Sequence, residues 1–177
     1  LTATVSPDDA GLPGIPHFQS LDALLETRPG LDAVALCTPP QVRHTLAAQA
    51  IDAGLHVLLE KPPGATLTDV EALTARAARA GTTLFAAWHS RFASGVAPAR
   101  EAPPAGQRAP RGARAVPESG HWRWSKGLGG GPIVDLGSHQ IDIYTWFLGA
   151  NPSGVMATGG RLYYPAETHE WYDTVMV

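Results

Sequence analysis

The run Leu31-Asp32-Ala33-Val34-Ala35-Leu36-Cys37-Thr38-Pro39-Pro40 sets the fold. Residues 31–37 are nearly continuous in apolar character, the mark of a strand buried on both faces of a parallel sheet. The chain turns at Thr38-Pro39-Pro40, and a helix is expected to about residue 53, closed by Gly54. A second short apolar strand follows over 56–60. Lys61-Pro62-Pro63-Gly64 stops it, because proline cannot extend a ladder of hydrogen bonds.

The same alternation extends in both directions. Toward the C-terminus, Thr68 and Glu71 form a capping box, preceded by Leu67 and followed by Leu73 and Ala77, and Gly81 ends that helix before a strand over 82–87. Toward the N-terminus, Ser20 caps a short amphipathic helix carrying Leu21, Leu24 and Leu25. The opening Leu1-Thr2-Ala3-Thr4-Val5 reads as a strand already under way, which suggests a missing beginning. Strands alternating with helices over short turns imply a parallel sheet with right-handed crossovers and ligand contacts at the C-terminal strand ends. Thr38 and Lys61 sit at those ends, although each proline-rich turn taken alone also reads as plain turn chemistry.

Residues 101–120 break the pattern with Pro, Ala, Gly and Arg and read as a linker. Arg100, Arg108, Arg111, Arg114 and Arg123 make this stretch basic, but no aromatic residue interleaves the four arginines from 100 to 114, so a solvated loop is expected rather than a nucleic-acid contact. Order returns at His121 with Trp122, Trp124 and Gly129-Gly130-Gly131-Pro132. A helix over about 134–148, ended by Gly149 and Pro152, precedes strands at 155–164 and 171–177, the last running off the end.

Composition narrows the function. The 177 residues are 44% hydrophobic and 16% charged with a net charge of -3, which gives no electrostatic reason to expect nucleic acid or an anionic membrane as partner. A small neutral or polyhydroxy ligand fits better. The single cysteine, Cys37, excludes an internal disulfide and a cysteine-based zinc site, and its place in an apolar strand reads as an inert core thiol. With no signal-like N-terminus and no apolar run near the ~20 residues of a membrane helix, the expected setting is a reducing cytoplasm.

The chemistry concentrates on the helix near residue 134. Asp135, His139 and Asp142 stand at i, i+4 and i+7, so one helical face carries an acid, an imidazole and an acid. The flanking Ile141, Ile143, Trp146 and Phe147 favour a mostly buried helix whose polar face needs partners. A solvated polar face, with Asp135 answering the helix dipole, remains the alternative. No metal is expected, because no third histidine or HExxH pairing lies nearby. Gly127 and Gly129-Gly130-Gly131 form a close-approach turn rather than a phosphate cradle, since no G-x-G-x-x-G follows a strand.

These residues resemble one family. Leu31-Asp-Ala-Val-Ala-Leu-Cys-Thr-Pro-Pro, His44 and Leu59-Glu60-Lys61-Pro62 are similar to the nicotinamide-domain core of the Gfo/Idh/MocA oxidoreductases, with their Glu-Lys-Pro turn. Gly-Gly-Gly-Pro-Ile-Val-Asp135-Leu-Gly-Ser-His139-Gln-Ile-Asp142 resembles that family's helix bearing a catalytic aspartate and histidine. The resemblance implies an α/β chain: a truncated Rossmann-type parallel sheet over 1–90, an irregular linker over 91–120, and over 121–177 part of an α/β domain with an open, largely antiparallel sheet.

It further implies hydride exchange between a sugar or polyol carbon and NAD or NADP, in a protein that pairs with copies of itself through the C-terminal sheet. Carried across, Lys61 contacts the substrate hydroxyl and cofactor ribose, His139 accepts the proton, and Asp135 orients substrate or histidine. Thr38, Pro39, Pro40, His44, Glu60, Lys61, Trp88 and Arg91 line the cofactor. Oxidising a C–OH group requires its proton to be removed as hydride leaves, and imidazole titrates near working pH. Within the family, Cys-Thr-Pro-Pro, Glu-Lys-Pro-Pro-Gly-Ala-Thr and Ala-Ala-Trp-His-Ser-Arg look most like aldose 1-dehydrogenases acting on galactose or arabinose. The alternatives are a non-catalytic binding or interaction protein that keeps the fold, or an inactive fragment.

Overall fold

A computed structural model of the chain describes residues 1–8, 11–27, 30–101 and 124–177. They form two compact units, residues 1–86 and 87–177. Most of the expected linker, with Arg108, Arg111, Arg114, Arg123, His121 and Trp122, lies outside the described residues.

In the first unit β1 (Thr4–Val5) runs parallel to β2 (His17–Phe18), and α1 (Leu21–Thr27) follows. The Ala23 N–H donates to Ser20 Oγ at 3.2 Å, the expected N-cap. Then come β3 (Ala33–Leu36), α2 (Pro40–Asp52), β4 (His56–Glu60), α3 (Leu67–Ala80) and β5 (Leu84–Ala87), the three strands being bonded in the order β3-β4-β5. β3 and β4 are parallel, with Ala33 opposite His56 and Leu36 opposite Leu59. Pro40 opens α2 at the one position where its missing N–H costs nothing. Gly54 and Gly81, at φ of 82° and 69°, close α2 and α3 in the left-handed conformation.

Leu36, Val57 and Leu59 face Ala47, Ala50 and Ile51 of α2 and Leu73 and Ala77 of α3 in one core. The opposite face of the sheet carries Ala33, Ala35, Leu58 and Phe85, all exposed. The expectation of a strand buried on both faces is therefore corrected. Two connections that step the same way across a sheet, each right-handed, place both helices on one side. Cys37 is likewise exposed rather than a core thiol, because it lies one residue beyond β3.

The capping box also shifts. Thr66, extended at φ -131° and ψ 161°, accepts from the Asp69 N–H at 3.1 Å, while the Asp69 carboxylate takes the Thr66 N–H at 3.1 Å. Thr68 is already inside the helix, where its hydroxyl cannot serve as cap.

In the second unit a 3-10 turn (His89–Phe92) precedes α4 (Val96–Glu101). The expected helix from 134 begins instead as a single π turn (Ile133–Gly137) that continues into α5 (Ser138–Leu148), closed by Gly149 at φ 64°. Gly131, at φ 70°, packs so tightly that an added Cβ would lie 2.8 Å from the Trp171 ring, the expected close approach. The two expected long strands reduce to β6 (Thr158–Gly160) and β7 (Thr174–Met176), which are antiparallel. The Asp173 carboxylate explains the shortening: it accepts the N–H groups of Leu162, Tyr163 and Tyr164, each at 2.9 Å, so those donors leave the ladder. Among the described residues no helix is long and apolar enough to cross a membrane.

Two stability measurements check these assignments. In urea unfolding, Thr66→Ala should cost about 1 kcal/mol, whereas Thr68→Ala should stay within about 0.5 kcal/mol of the parent. Equal losses would return the cap to Thr68. At Asp173 burial alone would raise the carboxyl, but the N–H groups of Leu162, Tyr164 and Tyr163 and the Thr174 hydroxyl outweigh it and hold it at about 2, below the ordinary 3.8. A depressed folded-state pKa means the contribution is complete above the unfolded value and lost as pH falls through the folded one. Unfolding free energy measured between pH 4 and 2 should therefore fall less steeply in Asp173→Asn than in the parent.

Candidate functional site

The first cluster sits where β3 and β4 end. Thr38 is half-buried between β3 and α2, Pro39 and Pro40 open the helix, and Glu60 is the last residue of β4 with Lys61 directly after it. One side chain joins these turns. Arg43, only 2% exposed, reaches from the first turn of α2 and donates through Nη1 to the Glu60 carbonyl at 2.6 Å and to the Pro62 carbonyl, and through Nη2 to the Thr38 carbonyl. Burial pulls the Arg43 pKa below its ordinary value, against the opposing pull of Glu60 and Cys37. The Glu60 carboxylate accepts the Lys61 N–H at 2.9 Å. His44 follows Arg43 on α2 and is half-buried.

Sequence reasoning missed Arg43. The signal was available, because Pro40, Arg43, Ala47, Ala50 and Ile51 recur at the spacing of one helical face, and all five are buried. An arginine in that apolar series must find acceptors inside the protein.

The second cluster joins the 3-10 turn to α5. Arg91 Nε donates to Asp142 Oδ2 at 2.6 Å, and Nη2 completes a bidentate pair on Oδ1. The Asp142 side chain is 10% exposed and that of Arg91 36%. The hydrogen bond to Asp142 is the main cause raising the Arg91 pKa, against desolvation. One helical turn away, the Ser90 hydroxyl and His139 Nδ1 are hydrogen-bonded at 3.2 Å, and the His89 ring meets His139 edge to face at 4.9 Å between centroids. Ser90 was not singled out from the sequence, although it lies with His89 in the Ala-Ala-Trp-His-Ser-Arg stretch that carries the resemblance to aldose 1-dehydrogenases. Asp135 is half-buried in the π turn, a local geometry that recurs at functional sites. Trp88 follows β5 with its indole Nε1 buried.

Of the residues singled out from sequence, the structure gathers Thr38, Pro39, Pro40, Glu60 and Lys61 in the first unit. It gathers Arg91 and His139 in the second, where Asp135 and Trp88 also lie. Among the described residues several buried side-chain atoms, Arg43 Nε included, have no hydrogen-bond partner; two of them are the Thr38 hydroxyl and the Trp88 indole N–H. Each is a polar atom with unused bonding capacity next to a strand end, where open α/β sheets hold ligands. In the first unit the Thr38 hydroxyl, beside the Pro39-Pro40 turn at the tip of β3, fits a contact with a dinucleotide. Among the described residues no group of three His, Cys, Asp or Glu side chains is placed to hold a metal ion.

A parallel sheet covered by helices on one face, followed by a unit with a small antiparallel sheet and the helix carrying His139 and Asp142, defines an α/β protein of Rossmann type. Residues 4–88 match the model of an oxidoreductase family with an NAD-binding Rossmann fold, and residues 106–177 match the GFO/IDH/MocA C-terminal domain. The chain belongs to the Gfo/Idh/MocA family of oxidoreductases.

Over 55 residues it is 62% identical to galactose 1-dehydrogenase of Pseudomonas fluorescens, covering 31% of this chain and 18% of that one. Over 134 residues it is 33% identical to D-glucoside 3-dehydrogenase of Escherichia coli, covering 71% and 38%. The crystal structure of a D-galactose-1-dehydrogenase protein from Rhizobium etli superposes with a TM-score of 0.54 at 46% identity, over 57% of this chain and 32% of that one. The chain spans less than half the length of these relatives.

The ion pair that fixes the second cluster is open to a double-mutant cycle. Arg91→Ala and Asp142→Ala should each lower stability, while the double variant loses less than their sum, with a coupling of about 1 kcal/mol. Strict additivity in chemical unfolding would dissolve the pair as a structural element.

Proposed function

We propose that the protein containing this chain oxidises a hydroxyl-bearing carbon of a sugar or polyol with NAD or NADP, and that the substrate is an aldose such as galactose oxidised at C1. The observation that carries this reading is the hydrogen bond between Ser90 and His139 Nδ1, which orients a half-buried imidazole on the helix that also follows Asp135. Two neutral tautomers satisfy this bond, and the reading uses the one in which Nδ1–H donates to Ser90 Oγ, since it carries the lone pair on Nε2, the state that takes the substrate hydroxyl proton. The identity with a galactose 1-dehydrogenase over 55 residues supports the choice of substrate class.

Within this reading, residues 1–90 form part of the nucleotide-binding domain, 91–120 a linker and 121–177 part of the catalytic domain. Thr38, Pro39, Pro40, His44, Glu60, Lys61, Trp88 and Arg91 line the cofactor, with the Thr38 hydroxyl and Trp88 indole offering hydrogen bonds that the protein itself leaves unused. NAD(P)+, when bound, takes up the hydride from the sugar carbon. Lys61 places an ammonium against the reacting oxygen and stabilises the negative charge that grows there as its proton departs. His139 receives that proton, and Asp135 orients the substrate or the imidazole. Arg91 serves the site from its pair with Asp142, which steadies the turn that carries Ser90. The reading extends to self-association through the C-terminal sheet and a cytoplasmic setting.

NAD(P)H formation with a panel of aldoses tests it. His139→Ala should lower kcat by about 10²–10⁴-fold, the usual weight of a positioned general base. Lys61→Ala should lower kcat by about 10²–10³-fold and leave a measurable residual rate, and activity left intact by both substitutions would remove the assigned roles.

A further inference from the structure

Arg43 is the one charged side chain in the buried face of α2, and its three hydrogen bonds go to backbone carbonyls rather than to a carboxylate. The choice of carbonyls is informative. Nη1 holds Glu60 O and Pro62 O, the acceptors on either side of Lys61, while Nη2 holds Thr38 O in the turn after β3. A planar guanidinium with a fixed fork fixes whatever it bridges. The peptide unit before Lys61 and the one after Pro62 are thus tied to the same rigid group, and that group is anchored to the turn bearing Thr38. Strand-end carbonyls have no ladder partner and accept what the helix offers.

We infer that Arg43 is a positioning residue for Lys61: by clamping the backbone on both sides of that lysine to the turn after β3, it sets where the ammonium stands. The inference rests on the proposed function only for what Lys61 does; the clamp itself stands on the contacts. A lysine at position 43 keeps the charge but not the fork, and a methionine keeps much of the volume but no donor. Neither could hold three carbonyls. Such a change leaves three carbonyls without their donor and lowers stability as well, so the positioning role is read from the difference between its effect with and without Lys61 rather than from its size alone.

The test uses Arg43→Met and Arg43→Lys, each alone and combined with Lys61→Ala, in the 177-residue chain. In amide hydrogen exchange, Arg43→Met should speed the Lys61 and Gly64 amides by about tenfold, the equivalent of one hydrogen bond to a charged donor, with α3 amides unchanged. In the aldose assay it should lower kcat by about 100-fold, the scale at which displacement of about 1 Å acts, yet cost almost nothing further once Lys61 is already alanine. If Arg43→Met does not fold, Arg43→Lys is read in the same two ways.

Unchanged exchange at Lys61 and Gly64 overturns the clamp whether or not the chain is active. An equal penalty with and without Lys61 overturns the positioning role and leaves the dehydrogenase reading standing. Full activity in Lys61→Ala overturns the role of the lysine, and faster exchange in Arg43→Met would then still establish the clamp.

Discussion

A guanidinium taken out of water costs several kcal/mol unless its donors are met, and Arg43 is taken out almost completely. Its two Nη groups are met by the unsatisfied edge of the sheet, while its Nε has no partner among the described residues. Strands β3 and β4 end in carbonyls with no further ladder to join, and the first turn of α2 brings a fork of N–H groups to them. Each side answers a deficit in the other. The result is that the two turns able to contact a ligand in the first unit are held to each other through the protein core.

The second unit uses the same economy on a smaller scale. Asp142 and His139 lie one turn apart on α5, and both look to the 3-10 turn at 89–92: the acid to Arg91, the imidazole to Ser90. A merely solvated polar face on α5 is therefore excluded for Asp142, whose side chain is 10% exposed. The π turn before the helix alters the winding at Asp135, so the simple α-helical alignment of Asp135 with His139 no longer fixes their relation.

Local chemistry was readable where a single residue type has a single backbone preference. Pro40 at the start of α2, with Gly54 and Gly81 at positive φ beyond α2 and α3, stands where the sequence places it. Where two local patterns overlap, residues alone did not choose: Thr66-x-x-Asp69 and Thr68-x-x-Glu71 both have the form of a cap box, and only the path of the entering chain makes the first one real. The two-residue β1 and β2 are too short for any period to show, and the long apolar stretch before Tyr164 gave way to a loop gathered by the distant Asp173.

By itself the sequence determined the alternation of strands and helices in the first unit, the turns that carry Thr38 and Lys61, and the helix that carries His139, because periodicity and the preferences of proline and glycine act over a few neighbouring residues. Only the tertiary structure decided that the sheet is covered on one face, that Arg43 rather than a neighbour binds the two turns, and that Ser90 holds His139. Those outcomes depend on the sense of each crossover and on contacts between residues 5 to 49 positions apart, which the helix and strand periods do not encode.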